Sequence, residues 1–151
     1  MKTDSRLSVT LHVLLHMAER DTPMTSAELA AHMGTHPVVV RRTMAGLRER
    51  GFVRSEKGHG GGWEIACDLA QVTLKDIYDA LGAPTLLAIG INLEHPACLV
   101  EQAVNRSLTS AFRDAEALLV TRLADVTLAE LAEDFRIHAR QRRASHPHKD
   151  A

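Results

Sequence analysis

The sequence predicts a mainly α-helical chain with one small β-hairpin, built as a winged helix-turn-helix domain plus a long dimerisation helix. Three observations predict it. Three short amphipathic segments fill residues 5–51, separated by turn signals. The stretch "KGHGGG" at 57–62 lies between two strand-like runs, as a hairpin tip would. A later run, "ACLVEQAVNRSLTSAFRDAEALLVTRLADV" from residue 97, lacks internal proline and glycine. At ~1.5 Å per residue, about 28 residues make a helix of roughly 42 Å.

Each element has its own warrant. Leu7, Leu11, Leu14 and Leu15 recur at helical spacing and predict a first helix over 5–20, ended by "DTP". Thr25 with Glu28 three residues on is a capping box that opens a second helix, and Gly34 is its C-cap. Pro37 suits the first position of a third helix, which Gly51 stops. Val40, Met44 and Leu47 share one side of that helix. Thr35, Val38, Arg42, Ala45 and Glu49 point the other way. Phe52 and Val53 start one strand, and Trp63 and Ile65 alternate with Glu64 in its partner. Thr73 with Asp76 caps a fourth helix, whose stripe is Ile77, Tyr78 and Leu81 and whose stop is Gly82. Residues 83–96 read as an irregular connector. On the long helix Val104, Leu108, Ala111, Ala115, Leu118 and Leu119 recur at three and four. A "TLAE" box at 127–130 begins the last helix, which fades into the basic "RQRRASHPHKDA".

Composition bounds the function. The chain has 151 residues, 45% hydrophobic, 25% charged and 3% aromatic, enough for one core built on Leu, Val, Ile, Ala and Met. No apolar run nears the ~20 residues of a membrane span, and "MKTDSRLSVT" has no signal-peptide apolar region, so a cytoplasmic protein is expected. Cys67 and Cys98 offer no disulfide framework and are expected as free thiols. The net charge of −1 hides an uneven spread. Residues 35–57 hold six Lys/Arg against two Asp/Glu, whereas residues 67–134 hold four against eleven. One small basic face, set beside an acidic middle, suits a polyanion.

The glycine stretch allows several readings. A nucleoside-triphosphate cradle needs its lysine after the glycines and a helix beyond; here Lys57 precedes them and a strand follows. A flexible linker would not be clamped between two strands. A hairpin directly after three helices is the wing of a winged helix-turn-helix, whose tip reaches backbone or minor groove. The plainer reading is a tight turn with Lys57 solvated. The basic cluster of the third helix argues independently for DNA.

The stretch "PVVVRRTMAGLRERGFVRSEKGHGGGWEIA" resembles the diagnostic segment of the Rrf-two family of bacterial winged helix-turn-helix regulators, with Arg41, Arg42, Leu47, Gly51, Phe52, Val53, Ser55, Lys57, Gly58, Gly61, Gly62 and Trp63 carrying the likeness. "VTLKDIYDAL" and "TLAEL" resemble later helices of the family, so the likeness covers roughly residues 5–135. It implies a homodimer with antiparallel long helices on a palindromic operator. Three departures matter. The best-known members ligate a two-iron, two-sulfur cluster through three cysteines ahead of the long helix. Here residues 85–105 hold only Cys98, with Asn92 and Leu86 where spaced partners would fall, so no iron-sulfur cluster and no cofactor are expected. Lys57 replaces the usual wing arginine, keeping charge but losing bidentate geometry. Val39 stands where a tyrosine is common.

Candidate DNA-binding residues are Thr35, His36, Val38, Val39, Arg41 and Arg42 on the third helix, and Ser55, Lys57, Gly58 and His59 on the wing. Arg42 faces outward and suits guanine O6/N7, or is a solvated surface arginine; Arg41 suits a phosphate. Thr35 and His36 sit where backbone N–H groups favour a phosphate. Val38 or Val39 suits a thymine methyl, with core packing equally open for Val39. Arg48, Arg50 and Arg54 read as solvated or phosphate contacts. Cys98 at a helix N-terminus, with His95 nearby, is a possible redox sensor or else a small apolar residue at a dimer seam. His12 and His16 have metal-binding spacing, but no acidic or thiol third ligand is evident nearby, so no metal residues are assigned.

The expected organisation is a DNA-binding domain over 1–82, a connector over 83–96, a dimerisation helix and C-terminal helix over 97–140, and a disordered basic tail over 141–151. The expected function is sequence-specific regulation of transcription, as a repressor, by a homodimer bound to double-stranded DNA, with an effector of unknown identity. A winged-helix module for protein partners and a thiol-sensing regulator acting through Cys98 are the alternatives. No catalytic constellation is present, so an enzyme is not expected.

Overall fold

A computed structural model describes residues 4–58, 61–87 and 89–145. Six helices and two strands follow in order: α1 Arg6–Ala18, α2 Ser26–Met33, α3 Pro37–Glu49, β1 Val53–Glu56, β2 Gly62–Ile65, α4 Leu74–Ala80, α5 Leu99–Ala124 and α6 Leu128–Ser145. The helix starts obey local chemistry. The Thr25 hydroxyl accepts from the Glu28 N–H at 3.1 Å, and the Glu28 carboxylate accepts from the Thr25 N–H at 2.7 Å. The same reciprocal pair opens α4 through Thr73 and Asp76, and recurs at Thr127 and Glu130. Gly34 closes α2 in the left-handed region, at φ 60°.

The core gathers one stripe from each element. Val13, Leu14 and Met17 of α1 meet Leu29 and Ala30 of α2, Val40, Met44 and Leu47 of α3, Ile77 of α4 and Leu128 of α6. Val53 and Trp63 of the hairpin join the same cluster. Burying a side chain of Leu size stabilises by about 1.5–3 kcal/mol, so these stripes decide how α1–α4 pack. The α3 stripe is the one the sequence predicts.

Among the described residues the sheet is a two-stranded antiparallel hairpin, pairing Val53 with Ile65 and Glu56 with Gly62. It does not hang free. Met24, in the break between α1 and α2, forms a bridge with Trp63: Trp63 N–H donates to the Met24 carbonyl at 2.8 Å, and Met24 N–H donates back at 2.9 Å. A second bridge, Thr73 with Thr127, ties the start of α4 to the start of α6.

None of the 26 residues of α5 is buried, as its predicted length implies. At ~1.5 Å per residue it is about 39 Å long, which carries it past the small core. One element departs from expectation. α6 continues to Ser145, so residues 141–145, expected in a disordered tail, are helical. Arg, Gln and Ala are good helix formers, and the first breaker, Pro147, lies outside the described residues. The remainder of the expected tail also lies outside them.

Candidate nucleic-acid interface

α2 and α3 are joined by a three-residue turn, Gly34 to His36. Thr35 belongs to the end of α2, its N–H donating to the Ala30 carbonyl at 3.1 Å. His36 is the N-cap of α3, with Nδ1 accepting from the Val38 N–H at 3.3 Å. With Val40, Met44 and Leu47 turned into the core, the opposite side of α3 faces solvent. Val38 and Val39 are large apolar residues left 51% and 45% exposed, although the core lies one turn away. Arg41 and Arg42 follow them, both exposed. The first two turns of α3 thus present two arginines and two branched apolar side chains, a set suited to guanine edges and thymine methyls.

The hairpin is fastened to α3 by Arg48. Its guanidinium donates to the Ser55 hydroxyl at 3.4 Å and lies 5.7 Å from the centre of the Trp63 ring. The Trp63 indole N–H donates in turn to Ser26 at 3.1 Å, tying the wing to the start of α2. Arg41 lies two helical turns before Arg48 and therefore on the side of α3 that faces the wing. Lys57 is exposed at the end of β1, followed by the Gly58 turn at φ 97°. Arg41, Arg42 and Lys57 are all exposed and among the described residues enter no ion pair; Arg42 lies about 100° round the helix from Arg41, toward Gly46 and Ala80.

Gly62 explains part of the glycine density. A Cβ there would come within 2.5 Å of the Met24 carbonyl oxygen. Only a residue without a side chain lets β2 run this close to the Met24 backbone. The glycines therefore serve the wing twice, at its tip and at its anchor.

Several predicted roles shift. Arg54, expected as solvated or on a phosphate, pairs with the Glu64 carboxylate at 2.6 Å across the hairpin, and this hydrogen bond raises its already high pKa further. Ser55 is engaged by Arg48, so it positions the wing as well as bordering the face. His59 lies outside the described residues. Cys98 is the N-cap of α5 and exposed, with no side-chain cap hydrogen bond; its N–H donates to the His95 carbonyl at 2.9 Å. The His95 N–H donates to the Glu101 carboxylate. Burial pushes the Cys67 thiol up, disfavouring its thiolate.

Sequence reasoning missed the Arg48 brace between α3 and the hairpin and two further features. The Met24 bridge was invisible because Met24 lies in a break with no strand pattern. His32 on α2 was invisible as a neighbour of His12 and His16 because only the crossing of two helices brings it there. The rings of His32 and His16 have centroids 4.3 Å apart.

The chain matches the family described as Rrf2, iron-dependent transcriptional regulator, across residues 3–134. Over 128 residues it is 27% identical to the "Putative HTH-type transcriptional regulator YwnA" of Bacillus subtilis (strain 168), covering 85% of this chain and 95% of YwnA. Among solved structures it resembles the IscR of T. potens, with a TM-score of 0.63 at 18% identity, covering 89% of this chain and 88% of that one. It also resembles CymR, the global cysteine regulator of B. subtilis, with a TM-score of 0.57 at 24% identity, covering 88% and 97%. At these identities the two structures speak for the fold.

Proposed function

The chain belongs to the Rrf2 family of transcriptional regulators, and on that premise we propose that it is a repressor, acting as a homodimer on a palindromic operator. The family regulates transcription by binding DNA and is not a family of enzymes. The observation that supports the finer reading is that Arg48 braces α3 against the wing while Arg41, Arg42 and Lys57 are exposed on those two elements.

In this reading the first turns of α3 enter the major groove. Arg42 pairs with guanine O6 and N7, while Val38 and Val39 touch thymine methyls. Arg41 and Lys57 neutralise phosphates on either side, and the N–H groups at the start of α3 support one of those contacts. Thr35, His36, Ser55 and Gly58 border the surface formed by α3 and the wing. Phosphate contacts set affinity and register, and the α3 side chains set sequence preference.

The homodimer reading rests on α5. Leu99, Val100, Val104, Leu108, Leu118 and Leu119 are all exposed, Leu99 by 77%, on a helix that buries nothing. So long an apolar stripe favours a second copy, which by two-fold symmetry places two α3 helices a multiple of about 34 Å apart when both meet one face of the duplex. Operator release then needs a signal that binds the two states unequally. Among the described residues no helix is long and apolar enough to cross a membrane, in keeping with a cytoplasmic site of action.

The family description names iron. The donor set here does not fit a cluster held by cysteines. Residues 85–105 offer the single thiol Cys98, the positions of spaced partners hold Asn92 and Leu86, and Cys67 is half-buried with its thiolate disfavoured. No regulatory step is therefore drawn through such a cluster.

Selection of bound duplexes from a random pool tests the proposal. Enrichment of an inverted repeat with half-sites a whole number of turns apart supports it. A pool that stays random, together with a stoichiometric protein partner in pull-down, would favour a protein-interaction module. Repeating the selection with oxidant and with reductant tests Cys98: enrichment lost only under oxidant supports thiol sensing.

A further inference from the structure

We propose that His12, His16 and His32 form a mononuclear binding site for a divalent transition-metal ion. His12 and His16 stand one turn apart on α1, with their Nε2 atoms 3.1 Å from each other and ring centroids at 4.7 Å. His32 reaches over from the last turn of α2, its ring centroid 4.3 Å from that of His16 and 6.2 Å from that of His12. One ligand nitrogen from each lies within 4.8 Å of the other two, and all three side chains are exposed to arriving ions.

The geometry suits a borderline metal. A metal–nitrogen bond of ~2.0–2.1 Å at tetrahedral angles puts ligand nitrogens about 3.3 Å apart. The His12–His16 pair already has that spacing. Closing the widest gap takes about 1.5 Å, within the reach of side-chain rotation at an exposed histidine. Two Nε2 atoms at 3.1 Å share one proton, one nitrogen donating and the other accepting. On binding, the donating imidazole carries its proton on Nδ1 instead, by tautomer exchange through water, so that both Nε2 lone pairs are free for the cation.

Three imidazoles and no thiolate select zinc, cobalt, nickel, copper or ferrous iron over magnesium or calcium. Beside the pair a cavity of about 180 Å³ is lined by His12, Leu15, His16, Glu19 and Phe135. It leaves room for water or a small ligand at a fourth position. Glu19 stands at its wall but is held by Arg136 at 3.0 Å, so the three histidines carry the site. An ion here fastens α1 to α2. The assignment uses residues away from the DNA-facing side chains and stands apart from the DNA-binding reading.

The test uses the full-length chain without an affinity tag, stripped with a chelator and titrated with Co²⁺ and Zn²⁺. We expect one ion per protomer, visible d–d absorption from nitrogen-ligated cobalt, and a raised melting midpoint with zinc. His32→Ala should weaken binding by about tenfold or more and abolish the zinc-dependent midpoint shift, with unchanged far-ultraviolet circular dichroism. His146→Ala with His148→Ala, in the chain's terminal segment, should leave binding unchanged. The proposal is overturned if His32→Ala or His16→Ala binds as tightly as the unaltered chain. It is equally overturned if the terminal pair of substitutions removes the binding.

Discussion

Replacing Gly62 with alanine puts the anchoring of the wing to a quantitative test. The new Cβ would lie 2.5 Å from the Met24 carbonyl oxygen and 2.7 Å from the Met24 carbonyl carbon, well inside contact distance. Both groups are backbone, so neither can swing aside as a long side chain would. Relief requires β2 to move away from Met24, which breaks the two reciprocal hydrogen bonds at 2.8 and 2.9 Å. Each contributes about 1 kcal/mol net, and the positive φ of 156° adds strain of about 1 kcal/mol for a residue with a Cβ. The expected loss is therefore about 3 kcal/mol, or about 6–12 °C in melting midpoint at this chain length. Gly58→Ala is the control. Its φ is 97° but its Cβ position meets nothing within 4 Å, so only backbone strain of about 1 kcal/mol applies. Urea unfolding followed by Trp63 fluorescence measures both. Equal stability of the two variants would refute the argument that the Met24–Trp63 bridge holds the wing.

Other consequences are open to measurement. Met44 is fully buried between α3 and its neighbours, so Met44→Ala should cost about 2–5 kcal/mol in urea unfolding; a loss below 1 kcal/mol would contradict its place in the core. Hydrogen bonds from the backbone N–H groups of Thr25 and Thr127 hold the Glu28 and Glu130 carboxyls below the ordinary carboxylate range. A depressed folded-state pKa stabilises above the unfolded-state value, and that stabilisation fades as pH falls through the folded-state value. Glu28→Gln with Glu130→Gln should thus flatten the decline in melting midpoint between about pH 5 and pH 3, and an unaltered decline would exclude the capping pairs as its source. Val104→Glu with Leu118→Glu places charge on the apolar stripe of α5. Sedimentation equilibrium should then report a monomer where the unaltered chain gives a dimer, and an unchanged mass would move the dimer interface elsewhere.

What was legible in the sequence was mostly local. Thr25 with Glu28, Thr73 with Asp76 and Thr127 with Glu130 are three residues apart, and each forms the reciprocal pair its spacing announces. Val40, Met44 and Leu47 needed only the helical period to be placed inside. The outward side of α3 followed by subtraction. Illegible features depend on residues distant in the chain. Nothing around Met24 signals pairing with Trp63, since a one-residue bridge has no alternation to read. The Arg48 contact with Ser55 and Trp63 needs the hairpin folded back over α3. His32 joins His12 and His16 only where α1 crosses α2. The end of α6 was misplaced for another reason: the basic, polar sequence after residue 140 resembles a solvated tail, yet it holds helix formers and no breaker before Pro147.

The central claim is that α3 and the wing meet DNA together, and salt-dependent binding to a selected duplex examines it most directly. Fluorescence anisotropy should show affinity falling steeply with salt, each phosphate contact adding about 0.9 to the logarithmic slope. The Arg41→Ala, Arg42→Ala, Lys57→Ala variant should bind far more weakly, and its slope should drop by about two to three if each cation meets a phosphate, or by about one less if Arg42 reads a base. An unchanged affinity and slope in that variant would contradict the account.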